Sequence, residues 1–157
     1  MILAGGQGKR MGILCQCRPK PALPFAGRFR VIDFSLSNCI HSGIGDIAVL
    51  IDFGSQVIAD YLDGGASWLP IDPERLHILE PKAVSYKGTA DAVYQNREYL
   101  QRSSAERILI LAGDHVYKMD YRKMLAFHEQ VAADVTVGVV TVPIEQSYRF
   151  GLSFWYS

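Results

Sequence analysis

The sequence predicts an α/β protein built on a mostly parallel sheet with helices on both faces. Short, nearly continuous apolar runs at residues 46–51 and 108–112 are typical of strands that are buried on both faces of a parallel sheet. Apolar residues at helical spacing occupy segments between such runs, as at residues 31–41. The alternation of strand and helix along the chain therefore favours repeated strand–helix–strand units.

The first three residues are predicted to end a first strand, and residues 4–28 to form a loop in which three prolines exclude helix. The later elements alternate in type, and Ser55, Thr89 and Asp120 are the expected helix caps. We predict helices at 31–41, from Ser55 to Gly64, from Thr89 to Arg102 and from Asp120 to Val131, and strands at 46–51, 76–80, 108–112 and 134–142. This order is that of a Rossmann-like domain.

The predicted topology brings two sequence features together. Right-handed crossovers place the carboxyl ends of parallel strands on one edge of a sheet. The glycine-rich loop after residue 3 and Asp114 after residue 112 both follow predicted strands. Because ligands of open α/β sheets bind at this edge, we expect the loop and Asp114 to share one ligand site.

Charge is unevenly distributed along the chain. The 157 residues suffice for one domain with a hydrophobic core, and their formal net charge of zero argues against a nucleic-acid partner. Six cations and no acid precede Asp33, namely Lys9, Arg10, Arg18, Lys20, Arg28 and Arg30. A cationic front end suits a small anionic ligand, although a solvated basic surface is the simpler explanation for Arg28.

Cysteine usage and hydropathy indicate a cytoplasmic protein. Cys15, Cys17 and Cys39 form no disulfide framework and are typical of reduced thiols. A zinc site made of Cys15, Cys17 and a histidine is disfavoured because the usual ligand spacing is missing. The sequence contains no secretory signal and no long apolar run, so no membrane association is expected.

The first twenty residues carry the clearest functional signal. A glycine-rich turn follows the apolar start, and its backbone N–H groups can form an anion-binding nest beside Arg10 and Lys20. Leu3 stands where a Walker A loop needs its first glycine, and Met11 where the dinucleotide fingerprint needs its third. We predict a different loop that binds a polyphosphate; a surface loop without a ligand is the alternative.

Five sequence motifs show a resemblance to a known family. They are Leu3-Ala4-Gly5-Gly6-Gln7-Gly8-Lys9-Arg10-Met11 with Lys20-Pro21, Phe29-Arg30-Val31-Ile32-Asp33-Phe34, Leu36-Ser37-Asn38-Cys39, Tyr86-Lys87-Gly88-Thr89-Ala90-Asp91-Ala92-Val93, and Gly113-Asp114-His115-Val116-Tyr117-Lys118-Met119-Asp120-Tyr121. In this order they resemble the glucose-1-phosphate adenylyltransferases, also called ADP-glucose pyrophosphorylases. The resemblance runs from the first residue to the neighbourhood of Gly151.

The resemblance implies a nucleotidyl transfer. A phosphate oxygen of glucose 1-phosphate attacks the α-phosphorus of ATP, pyrophosphate leaves, and ADP-glucose forms as the glucosyl donor for glycogen or starch synthesis. By this resemblance Arg10, Lys20 and Asp114 are the catalytic residues. Arg10 would contact the triphosphate, Lys20 a phosphate near the reacting centre, and Asp114 the cofactor Mg²⁺, which takes oxygen ligands that it shares with phosphates. An Asp that caps the following turn is the alternative for Asp114.

The resemblance also implies binding residues. The nucleotide would contact the first loop and the Gly-Thr-Ala turn, at Leu3, Ala4, Gly5, Gly6, Gly8, Gly88 and Thr89. Tyr86 and Gly151 would lie beside the sugar phosphate. Asp33 and Asn38 lie within a family motif, where a structural role is the alternative.

Family members are much longer than this chain, so residues 1–157 are expected to be a partial nucleotidyltransferase domain. The family's Glu-Lys-Pro sugar-phosphate segment, its second metal-binding Asp and its C-terminal β-helix domain, which supports homo- or hetero-oligomers, have no counterpart in the sequence. Gly12 and Cys15 depart from the family loop, and residues 152–157 diverge from its pattern. A non-catalytic nucleotide-binding or regulatory module, or a sister pyrophosphorylase with another nucleotide or sugar, remains an alternative.

Overall fold

The computed structural model describes residues 1–5, 18–52, 56–64, 72–82 and 85–149. The strands are β1 (Ile2–Leu3), β2 (Pro24–Phe25), β3 (Phe29–Arg30), β4 (Ile47–Leu50), β5 (Leu76–Leu79) and β6 (Leu111–Ala112). The helices are α1 (Ile32–His41), α2 (Gln56–Gly64), α3 (Thr89–Gln95), α4 (Arg97–Arg102) and α5 (Tyr121–Gln130), with 3₁₀ turns at Lys20–Ala22, Pro73–Arg75 and Ile144–Arg149. None of the described helices is long and apolar enough to cross a membrane.

The chain divides into two compact units, Met1–Arg122 and Lys123–Ser157. The first contains a four-stranded sheet in the order β5-β4-β1-β6, in which every neighbouring pair is parallel. β1 is a central strand, since Ile2 pairs with Val49 on one side and with Leu111 on the other. The parallel α/β architecture predicted from the sequence is confirmed.

β4 shows that helices cover both faces of this sheet. All four residues of β4 are buried, as its continuous apolar run predicts. Ile47 and Val49 belong to the core cluster that contains residues of α1 and α2. Ala48 and Leu50 point the other way and pack with Ala92 of α3.

Helix α1 is held on the sheet by an apolar stripe. Ile32, Leu36 and Cys39 recur at helical spacing and are at most 3% exposed. The predicted helix at 31–41 is therefore confirmed to within one residue. Cys39 is a free thiol, and its burial raises its pKa to about 11.

Two local features were missed by the sequence analysis. Within the predicted loop, β2 and β3 form an antiparallel hairpin whose turn residues Ala26 and Gly27 have positive φ. Strands of two residues are too short to show alternation. The helix predicted from Thr89 to Arg102 is divided at Asn96, whose side-chain amide donates to the carbonyl of Ala92 and so competes with the helical backbone.

The strand predicted at 134–142 is wrong, because residues 135–143 form neither helix nor strand. Four of its five valines are largely exposed, from 62% at Val139 to 78% at Val140. An apolar alternation becomes a strand only where a partner accepts its backbone hydrogen bonds, and none of the described residues does so here. The strand predicted at 108–112 is assigned only at Leu111–Ala112, where β1 pairs with it.

We expect Leu36→Ala to destabilise the first unit by about 2–5 kcal/mol, because a fully buried leucine leaves a cavity against the sheet. Urea unfolding followed by circular dichroism measures this loss. Val140→Ala is the control, since that side chain is 78% exposed. Equal unfolding midpoints for the two variants would contradict the assigned core.

Candidate functional site

A cavity of about 280 Å³ opens at the carboxyl edge of the sheet. The ends of three neighbouring strands and the start of α3 contribute to its wall. The described residues that line it are Leu3, Gly5, Pro21, Leu50, Asp52, Tyr86, Gly88, Thr89, Ala92, Ala112 and Asp114. This is the edge at which ligands of parallel α/β sheets bind.

The floor of the cavity depends on a close backbone approach at Gly5. A Cβ atom built on Gly5 would lie 2.9 Å from the Cβ of Asp52 and 3.2 Å from its backbone nitrogen. Gly5 follows β1 and Asp52 follows the adjacent β4, so only a glycine lets the first loop leave the sheet here. The preceding Ala4 is fully buried and its N–H donates to the carbonyl of Leu50 at 2.8 Å.

A salt bridge joins the two charged residues that the sequence analysis placed at this edge. Lys20 Nζ donates to Asp114 Oδ2 at 3.1 Å across a separation of 94 residues. Both side chains are about one-third exposed, at 33% and 37%. A pair exposed to this degree contributes only about 0–1 kcal/mol to stability. The pairing therefore leaves both charges available to a ligand at modest energetic cost.

The backbone beside Lys20 is fixed by burial. Pro21 and Ala22, in the 3₁₀ turn that begins at Lys20, are buried, and the carbonyl of Lys20 accepts from the N–H of Leu23 at 3.1 Å. Arg30 Nη1 donates to the carbonyl of Ala22 at 3.1 Å. Lys20 thus extends from an anchored turn toward the cavity edge.

Asp33 of α1 accepts hydrogen bonds from Arg30, which contacts this turn, and from Tyr61 of α2. Its Oδ2 accepts from the Arg30 N–H and from the Tyr61 hydroxyl, both at 2.7 Å. The Arg30 guanidinium stacks over the Tyr61 ring at 4.3 Å from the centroid. Asp33 is 3% exposed, and this burial raises its pKa despite the two hydrogen bonds. These contacts support the structural alternative for Asp33.

Asp52 is a cavity residue that the sequence analysis missed. The Ser85 hydroxyl lies 2.8 Å from one of its carboxylate oxygens and 2.9 Å from the other. β4 and β6 are separated by β1 alone, so Asp52 and Asp114 follow strands that are about 10 Å apart. The rule that strand ends share one edge could have identified Asp52, since it directly follows the predicted strand at 46–51.

The turn that leads into α3 also lines the cavity, through Gly88 and Thr89. Gly88 has a φ of +157° and is the residue before the helix, so the predicted cap at Thr89 is wrong: Thr89 is the first helical residue. The Asp91 carboxylate accepts from the backbone N–H of Lys87 at 2.8 Å and fixes the turn instead. This hydrogen bond, followed by one from Gln95, lowers the pKa of Asp91.

Tyr86 lines the cavity, but its hydroxyl is engaged within the fold. Asn96 donates to the Tyr86 oxygen at 3.0 Å, and that hydroxyl donates to the carbonyl of Leu79 at 3.4 Å. Burial raises the pKa of Tyr86. The ring, rather than the hydroxyl, is the part of Tyr86 that can contact a ligand.

Asp114 is the candidate metal-binding residue. No group of three or more His, Cys, Asp or Glu side chains suited to a metal occurs in the described part of the chain. A single carboxylate at the edge of this cavity nevertheless fits Mg²⁺, which commonly takes one or two protein carboxylates and completes its shell with water and substrate phosphates. Four predicted site residues, Gly6, Gly8, Arg10 and Gly151, lie outside the described residues.

Comparison with known proteins agrees with this architecture. The sequence model of the family described as nucleotidyl transferase matches residues 1–153. The chain belongs to the nucleotidyl transferase family.

Within this family, the chain is similar to glucose-1-phosphate adenylyltransferases. The chain is 46% identical over 159 residues to a glucose-1-phosphate adenylyltransferase of Clostridium novyi, which covers 97% of this chain and 41% of that protein. It is 48% identical to glucose-1-phosphate adenylyltransferases of Clostridium botulinum, over 41% of their length, and of Thermomicrobium roseum, over 37%. The chain therefore spans about two fifths of the length of these relatives.

We expect Gly5→Ala to destabilise the first unit by about 1–3 kcal/mol, because the added methyl group must displace the backbone at Asp52. Urea unfolding measures the loss. Gly138→Ala is the matched control, since a Cβ at Gly138 meets no atom within 4 Å. A Gly5→Ala variant as stable as the control would show that the first loop does not pass Asp52 at this distance.

Proposed function

We propose that this chain contributes the nucleotide-binding part of an enzyme that forms ADP-glucose and pyrophosphate from ATP and glucose 1-phosphate. The main support is the Lys20–Asp114 pair, which lies at a cavity on the carboxyl edge of a nucleotidyl transferase fold. The candidate substrates follow from the activity of the relatives, which are glucose-1-phosphate adenylyltransferases.

Nucleotidyl transfer depends more on compensation of negative charge than on covalent catalysis by the protein. A phosphate oxygen of glucose 1-phosphate attacks the α-phosphorus of ATP, and the bond from that phosphorus to the bridging oxygen breaks as pyrophosphate leaves. Negative charge collects on the leaving group, so positioned cations lower the barrier. Lys20 Nζ supplies a point charge at the cavity edge, and Arg10 is proposed to supply a second on the triphosphate.

Asp114 is proposed to hold Mg²⁺ together with the nucleotide. A bound Mg²⁺ would supply positive charge that offsets the negative charge of the phosphates. Within the chain itself, Asp114 keeps Lys20 at the cavity until phosphate oxygens arrive to accept from the ammonium group instead.

The remaining cavity wall is proposed to hold the nucleoside. Leu3, Gly5 and the Gly88–Thr89 turn offer apolar and backbone surface, while Asp52 offers acceptor oxygens. Ala4 would contribute only backbone, because its side chain is fully buried. Tyr86 and Gly151 are proposed to contact the sugar phosphate. Substrate-contacting groups beyond these would come from segments that the longer relatives possess.

We expect Lys20→Met and Asp114→Asn each to lower the rate of ADP-glucose formation by about 100-fold or more, the usual effect of removing a preorganised charge. Pyrophosphate release from ATP and glucose 1-phosphate with Mg²⁺ measures it in the complete enzyme to which the chain is proposed to contribute. The matched control breaks another ion pair, Lys82 to Glu98 at 3.0 Å, through Lys82→Met and Glu98→Gln. These control variants should keep the wild-type rate.

The same assay separates the competing functions. Binding of ATP without pyrophosphate release would favour a non-catalytic nucleotide-binding or regulatory module. Faster turnover with another nucleoside triphosphate or sugar phosphate would identify a sister pyrophosphorylase. Wild-type turnover in Lys20→Met and Asp114→Asn would contradict the proposed site.

A further inference from the structure

The segment that carries Asp114 has no regular structure of its own. Residues 113–120 connect β6 to α5 without helix or strand. A carboxylate on such a segment keeps a fixed position only if its backbone is held from outside, because each residue fixed costs about 1–2 kcal/mol of conformational entropy.

Side chains on α1 and at Ser42 bond the residues that flank this segment, and Asn38 bonds the segment itself. Ser35 Oγ donates to the carbonyl of Ala112 at 2.9 Å, just before the segment. Ser42, the residue after α1, accepts from the N–H of Tyr121 at 2.9 Å, just after it. Between them lies Asn38, which shares this face of the helix because side chains three or four residues apart are neighbours.

Asn38 uses both halves of its amide on the middle of the segment. Its Nδ2 donates to the carbonyl of Tyr117 at 3.0 Å, and its Oδ1 accepts from the N–H of Met119 at 3.2 Å. The side chain is 7% exposed, so water cannot readily replace these hydrogen bonds. No other described side chain makes two hydrogen bonds to the backbone of residues 113–120.

We infer that Asn38 is a positioning residue that sets the location of Asp114 for metal–nucleotide binding. The inference rests on the proposed function and assigns Asn38 a role that the sequence motif alone left open. Asn38 is not among the residues that line the cavity; it acts through the backbone at Tyr117 and Met119, three and five residues beyond Asp114. A carboxylate misplaced by about 1 Å can cost on the order of 100-fold in function.

The test compares Asn38→Leu with Asn38→Asp in the full chain. Leucine keeps the shape and removes both hydrogen bonds, whereas aspartate keeps an acceptor for the Met119 N–H. We expect Asn38→Leu to weaken binding of Mn²⁺·ATP by about tenfold, the value of about one lost hydrogen bond, and to leave binding of metal-free ATP unchanged. Asn38→Asp should recover part of the affinity. Isothermal titration with and without Mn²⁺ separates these effects.

Ser42→Ala is the matched control, because Ser42 is similarly buried at 6% and its hydroxyl oxygen accepts from Tyr121, the first residue of α5, which lies outside residues 113–120. It should keep wild-type affinity for Mn²⁺·ATP. In parallel, hydrogen–deuterium exchange should rise across residues 113–119 in Asn38→Leu and stay unchanged there in Ser42→Ala.

Three outcomes would overturn the inference. The first is unchanged hydrogen–deuterium exchange at residues 113–119 in Asn38→Leu, and the second is unchanged affinity of that variant for Mn²⁺·ATP. The third is an equal loss of ATP affinity with and without metal, which a merely structural residue would produce. A folded wild type that binds no Mn²⁺·ATP would instead contradict the proposed function, and the exchange measurement would then decide by itself whether Asn38 holds the segment. Should Asn38→Leu fail to fold, Asn38→Asp carries the same comparison.

Discussion

The packing of α1 against the parallel sheet is the constraint on which the candidate site depends. Its apolar stripe, at Ile32, Leu36 and Cys39, fixes the helix on the sheet. Two polar residues of the same helix then contact the segments that carry the charged pair. Asp33 accepts from the backbone of Arg30, which contacts the turn that carries Lys20. Asn38 bonds the backbone of the segment that carries Asp114. The Lys20–Asp114 pair is too exposed to enforce this geometry itself, so a helix that lines none of the cavity brings the two charges together.

The ends of three neighbouring strands determine the order of residues along the edge of the cavity. Asp114 follows β6, Gly5 follows the central β1, and Asp52 follows β4, so Gly5 follows the strand that lies between those that precede the two carboxylates. Asp52 leaves no room for a side chain at Gly5, because a Cβ atom there would lie 2.9 Å from the Cβ of Asp52. The proposed nucleotide places its phosphates near Lys20 and its nucleoside toward Gly88, which lines the cavity.

Local pattern was sufficient for much of the fold. A nearly continuous apolar run identified β4, an apolar-rich run identified β5, and helical spacing identified α1, because burial on the sheet imposes these patterns on neighbouring residues. The expected cap at Asp120 marked the start of α5. The hairpin of β2 and β3, the break at Asn96 and the absence of a strand at 134–142 depend on partners that are distant in sequence or on single hydrogen bonds. Position at the sheet edge predicted Asp114 as a site residue, whereas the contact between Lys20 and Asp114 spans 94 residues and is a property of the tertiary structure.

The most direct test of the account is to locate nucleotide binding on the chain by amide NMR. Mg²⁺·ATP should shift the backbone resonances of Gly5, Gly88 and Gly113, which lie at the cavity or beside Asp114, and leave those of Gly27 and Gly43 unchanged. Such a pattern would establish that the carboxyl edge of this sheet binds the nucleotide. Shifts confined to other regions, or no shifts in a folded chain at millimolar nucleotide, would contradict the assignment of this cavity as the functional site.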